Sequence, residues 1–149
     1  MKRPESNRAA NFLGPEFKKI SQFGSSSIEI DSIYRIALIR WVGKVDIGTT
    51  KKIIFAGINS EEFKNCAKIL LDQSNLVEFS TESRIWLKHF LKNNAKGYNK
   101  KVIKLGSVKP QTASGLLFSN FASELLKSEM PDLRRKRFDN VGEAIGWLI

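Results

Sequence analysis

Ile69-Leu70-Leu71-Asp72-Gln73-Ser74-Asn75-Leu76-Val77-Glu78-Phe79-Ser80-Thr81-Glu82-Ser83 decides how this chain is read. It continues a nearly unbroken apolar run, Ala67 to Asp72, the pattern of a central strand covered on both faces. Polar residues follow, and a helix is expected from about Ser80 to Asn94. Open α/β sheets place ligands and partners at such strand-to-helix junctions. The junction holds the hydroxyls of Ser74, Ser80, Thr81 and Ser83 and the carboxylates of Asp72 and Glu82. These six residues are the candidates for contact with a partner or an anion. No nucleophile, base and orienting group can be written from them, so no catalytic set is expected.

Outward from that stretch the chain alternates strands and helices. Ile28, Ile30 and Ile33, with Glu29 and Asp31 between them, predict a strand over Ser27 to Ile33. Tyr34 to Val42 is β-branched and aromatic, and the short link predicts an antiparallel hairpin. Asp46 is positioned to cap a helix from Ile47 to Asn59, because its carboxylate can accept from the free amides of the first turn. Further elements are expected as a strand at Lys101 to Leu105, a helix at Pro110 to Glu129 and a strand at Arg134 to Phe138. Asp139-Asn140 then caps a last helix, Val141 to Ile149. Met1 to Ser27 reads as a weakly ordered basic leader, with scattered apolar residues or a short helix from Pro15. Residues 28–149 read as one domain. The expected class is α/β, a mixed sheet of about five strands with about four helices.

The chain has 149 residues and a net charge of +10. Such charge bears on partners and solubility, not on fold. No apolar run reaches the length of a membrane span, and no apolar stretch follows the basic N-terminus, so a cytoplasmic protein is expected. One cysteine and one histidine leave no internal disulfide, and neither a metal site nor a cofactor is expected. Cys66 reads as a small hydrophobe and His89 as a surface residue.

Lys88, Lys92, Lys96 and Lys100 recur every four residues, and Arg134 to Arg137 form a second basic run. The favoured reading is a solvated face with apolar stems. The functional alternative is contact of the four lysines with an anionic membrane surface. Nucleic acid is disfavoured, because Trp86 and Phe90 stand four apart, as helix core residues do, and not as stacking platforms.

The element order, with Gly43-Lys44-Val45-Asp46 at its first strand-to-helix turn, resembles the STAS superfamily, the SpoIIAA-like fold of the anti-sigma-factor antagonists. Leu70 to Phe79 is similar to that family's strand and Asp-Leu-Ser turn. Lys136-Arg137-Phe138-Asp139-Asn140-Val141-Gly142-Glu143-Ala144-Ile145-Gly146-Trp147-Leu148 is similar to its closing strand and helix. The resemblance spans Ser27 to Ile149. It implies a non-enzymatic regulatory or protein-interaction module, with an unidentified protein partner or a homodimer as the assembly. The family's phosphorylated members carry an Asp-Ser-Ser-Gly turn. The matching positions here are Ser80, Thr81, Glu82 and Ser83, so a carboxylate stands at the phosphoacceptor and Thr81 is the remaining phosphorylation candidate. The SpoIIAA-like branch is related in fold to CRAL-TRIO lipid-transfer domains. That relation implies the alternative, a lipid or hydrophobic-ligand module with a cleft between the Lys51 and Trp86 segments.

Overall fold

Apolar side chains without alternation belong in a strand covered on both sides, and Ile36 to Ile39 and Leu70 are all buried. The computed structural model describes residues 14–98 and 101–149. The elements are β1 (Lys18–Phe23), β2 (Ser26–Asp31), β3 (Ile36–Arg40), β4 (Gly43–Val45), α1 (Ile47–Ile58), α2 (Glu61–Lys64), β5 (Lys68–Asp72), β6 (Leu76–Phe79), α3 (Thr81–Tyr98), β7 (Lys104–Val108), α4 (Ala113–Glu129), β8 (Arg134–Phe138) and α5 (Val141–Leu148). Six strands form one sheet in the order β1-β2-β3-β5-β7-β8. The first three run antiparallel, and β3, β5, β7 and β8 run parallel. The class is mixed α/β.

One sheet face packs Ile28, Ile39 and Trp41 against Ile53 of α1, Leu87 of α3 and Phe118, Ala122 and Leu125 of α4. The opposite face packs Leu38, Leu70, Val108 and Phe138 against Ala144 and Leu148 of α5. Helices thus cover both faces of the parallel half. No helix among the described residues is long and apolar enough to cross a membrane.

Helices announced by local caps lie where the sequence puts them. Asp46 Oδ1 accepts from the Thr49 amide at 2.8 Å, and that bond holds the Asp46 carboxyl below its ordinary range. Asn140 Oδ1 accepts from the Glu143 amide at 2.9 Å. The hairpin and β8 also lie as expected.

Other expectations are corrected. Lys18–Phe23 is a strand, not loose chain or a short helix; backbone pairing to β2, with a bulge between Lys19 and Ser21, holds it. Expectations for Met1 to Leu13 lie outside the described residues. β2 ends at Asp31 because that carboxylate accepts from the Tyr34 amide at 2.7 Å and draws the chain into a turn, leaving Ile33 81% exposed. A one-turn helix, α2, follows α1 and is capped by Ser60 Oγ. The seventh strand starts at Lys104, not Lys101. α4 starts after Thr112, whose Oγ1 accepts from the Gly115 amide at 2.9 Å, and so leaves Pro110 outside the helix. β4 and β6, both unexpected, pair in parallel as a separate two-stranded sheet.

Cys66 is buried, and burial pushes its thiol up to about 11.

Gly115 marks a close approach. A Cβ there would lie 2.6 Å from Pro110 Cβ and 2.8 Å from the Leu76 carbonyl oxygen. Gly115→Ala is expected to cost about 1–3 kcal/mol in denaturant unfolding, as overpacking does. Gly146→Ala, in α5 with nothing within 4 Å of the new carbon, is expected to add about 0.5–1 kcal/mol.

Candidate functional site

Parallel pairing of β4 with β6 is what builds the junction. β4 runs through Asp46 into α1, and β6 runs through Ser80 into α3. The two helix N-termini therefore lie side by side. Thr50 Oγ1 of α1 and Ser83 Oγ of α3 are 2.9 Å apart, and both residues are fully buried. Each hydroxyl has one proton to give. Thr50 gives its proton to the Asp46 carbonyl at 2.8 Å. The proton between Thr50 and Ser83 then comes from Ser83, and the one between Ser80 and Ser83, 2.8 Å apart, comes from Ser80. Ser80 Oγ also accepts from the Ser83 amide at 3.1 Å, which makes Ser80 the α3 cap. Ser80 and Ser83 are thereby committed to a buried relay joining two helices.

Thr81 and Glu82 are exposed on the first turn of α3. Thr81 Oγ1 accepts from Arg84 Nη2 at 3.0 Å. Glu82 lies where the helix dipole favours negative charge.

Asp72 and Ser74 belong to a different network. β-pairing sets Arg40 opposite both Ser27 and Asp72. Arg40 Nη1 donates to Asp72 Oδ2 at 2.7 Å and Arg40 Nε to Glu29 Oε2 at 2.8 Å. Asp72 Oδ1 accepts from the Ser74 amide at 3.1 Å and from Ser74 Oγ at 2.6 Å. Ser27 Oγ donates to Glu29 Oε2 at 3.2 Å. No hydrogen bond among the described residues joins this network to the hydroxyl relay. The six candidates fall into two separate clusters; Thr81 and Glu82 are exposed, Ser74 and Ser80 are half-buried, and Asp72 and Ser83 are buried. Arg40 and Glu29 were not among them. Their signal was Arg40 itself, a charge inside an otherwise apolar strand.

Lys88, Lys92 and Lys96 are exposed along α3, and none makes an ion pair among the described residues. Lys100 lies outside the described residues. Trp86 stacks on Phe90 with centroids 5.2 Å apart and meets Phe55 of α1 edge-on at 5.7 Å. These rings fill the seam between α1 and α3. No group of histidine, cysteine or acidic side chains among the described residues could hold a metal ion.

Two substitutions separate scaffold from surface in the relay. Ser83→Ala is expected to cost about 1–2 kcal/mol of unfolding free energy, because Ser80 loses its acceptor and Thr50 its donor. Thr81→Ala is expected to stay within about 0.5 kcal/mol. In the second network, Arg40→Met leaves the carboxylates of Asp72 and Glu29, 5% and 13% exposed, without their cation. It is expected to cost about 2–3 kcal/mol in urea unfolding. That is less than a fully buried pair because the guanidinium is 37% exposed.

No protein-family model matches the chain, and no curated protein matches it. A solved structure does: an uncharacterized protein from the DUF3478 family of Shewanella loihica PV-4, itself described as having a SpoIIAA-like fold. The likeness covers 91% of this chain and 94% of that one, with a TM-score of 0.52 and 15% identity. Identity at that level carries architecture alone, and the architecture agrees with the element order above: the chain has a SpoIIAA-like fold.

Proposed function

We propose that this chain is a non-enzymatic interaction module of the cytosol that docks a protein partner where α1 and α3 run side by side. The observation that carries this reading is apolar exposure beside the relay. Phe55 on α1 is 43% exposed and Ile85 on α3 is 55% exposed. Phe55 meets Trp86, the neighbour of Ile85. Exposed Lys51, Lys52, Thr81 and Glu82 provide charged and polar groups on the same two helices. Apolar groups within a polar rim are the usual anatomy of a docking patch. The hydroxyls that could have served as nucleophiles are bonded within the scaffold, which favours binding over chemistry. Regulation would enter at Thr81, where an added phosphate would meet Arg84 and the positive end of α3.

A second reading rests on an apolar cavity of about 140 Å³ between the sheet and the helices, lined by Ile39, Trp41, Ile53, Leu87, Phe118 and other apolar residues. Its volume is close to the ~150 Å³ of a cavity that binds benzene. It falls below the roughly 300 Å³ at which pockets for drug-sized ligands begin. One ring or a short chain fits that volume; a two-chain lipid does not. The docking reading is therefore preferred.

A photoreactive residue at position 85, introduced in the protein's native cells, is expected to give a discrete protein adduct. The same residue at position 33, more exposed but remote in the β2–β3 turn, is expected to give none. Equal adducts at both positions, or none at position 85, would sink the docking reading. Native mass spectrometry separates the alternatives: an added subunit supports docking, and a retained small apolar mass supports the cavity.

A further inference from the structure

Four consecutive basic residues, Arg134-Arg135-Lys136-Arg137, make up most of β8, the last strand of the sheet. Strand geometry sends alternate side chains to opposite faces. Arg134 and Lys136 go to the α5 side, over the rings of Trp147 at 5.9 Å and Phe138 at 5.5 Å. Arg135 and Arg137 go to the α4 side. There, pairing sets Arg137 opposite Ser107, and Ser107 opposite Leu71. Gln73 lies two residues beyond Leu71.

These residues border a cavity of about 200 Å³ beneath α4, walled by Gln73, Ser107, Ser119, Ser123, Arg135 and Arg137 among leucine and alanine side chains. Lys136 also borders it, and no acidic residue among the described ones does. Arg137 Nη1 donates to Asn120 Oδ1 at 2.9 Å, and Arg135 Nη1 to the Ser123 carbonyl at 3.0 Å, so α4 holds both guanidinium groups in place. Neither arginine has a carboxylate within ion-pair distance among the described residues.

Two buried side-chain atoms among the described residues lack a hydrogen-bond partner, Gln73 Oε1 and Arg137 Nε. Both belong to residues lining this one cavity, and Gln73 is 1% exposed. A buried donor or acceptor left unmade is costly and uncommon in a folded chain. Here an acceptor and a cationic donor are orphaned together, beside a second guanidinium and with no compensating negative charge. A ligand that accepts from Arg137, balances positive charge and donates to Gln73 would satisfy both atoms at once.

We propose that this cavity is a binding site for a small oxyanion, of phosphate or carboxylate chemistry, that also carries an O–H donor. Arg137 and Arg135 hold the anionic oxygens through charge-assisted bonds, Gln73 Oε1 accepts the ligand's proton, and the serines supply further polar contacts. The volume suits a molecule slightly larger than benzene. The site lies under α4 and is independent of the docking face on α1 and α3.

The test uses the full chain, with inorganic phosphate and lactate as probes, at fixed ionic strength with chloride as the control. Melting temperature and calorimetric affinity are read. One probe is expected to raise the melting temperature saturably at millimolar concentration, and the two arms distinguish phosphate from hydroxycarboxylate chemistry. Arg137→Gln and Gln73→Met are each expected to weaken that probe roughly tenfold or more, in keeping with loss of a hydrogen bond involving a charged ligand. Arg134→Gln, on the other face, leaves the affinity unchanged. Without ligand, Gln73→Met is expected to melt no lower than the parent, because it removes an unpaired acceptor; this keeps the test valid should Arg137→Gln fail to fold. Melting temperatures unmoved by either probe would mean a cavity that holds only water and would overturn the proposal. So would equal binding by Gln73→Met and the parent.

Discussion

Arg40 is held between Glu29 and Asp72, on the strands to either side of it. Its strand is also where the sheet changes character, antiparallel to β2 and parallel to β5. A slip of one residue would turn Arg40 to the other face of the sheet, into the apolar core of Ile28, Ile53 and Phe118. The register of both halves of the sheet is thus tied to one guanidinium with two acceptors. Ion pairs of this kind are weak as a source of net stability; specifying one arrangement over its near neighbours is the better-attested use.

Beyond Arg40 the chain makes a second, independent decision. β4 and β6 are three and four residues long, too short to stand alone, yet they aim α1 and α3 in the same direction. The buried hydroxyls of Thr50 and Ser83, joined by the half-buried Ser80, lock that alignment. A cluster of serines at a helix start is chemically suggestive when read as text. In three dimensions most of its capacity goes into joining two helices, and what stays exposed is the apolar and charged surface around it.

The parts legible in the sequence are those set by near neighbours. Asp46 and Asn140 cap helices through bonds to residues three positions on, so α1 and α5 were readable from a few letters. β8 was readable because the Asp139-Asn140 cap follows it directly. β1, β4 and β6 were not: their residues are mixed in polarity, and it is backbone pairing, of β1 with the adjacent β2 and of β4 with the distant β6, that makes them strands. The same division holds for the sites. The hydroxyl cluster at the start of α3 was visible, whereas the bond that joins Ser83 to Thr50 spans 33 residues of chain. The basic run in β8 was visible too. Which of its members share a cavity depends on the β7 register and on a helix laid above it, and neither is written locally.

Asp31 joins two parts of the chain with one side chain. Buried to 1% exposure, it accepts from the Glu16 amide at 2.9 Å with one oxygen and from the Tyr34 amide with the other. The chain just before β1 and the turn just after β2 are therefore pinned by a single carboxylate. Loss of that one carboxylate would release both ends of the β1–β2 ribbon at once, while β2 itself stays paired to β3 and packed in the core.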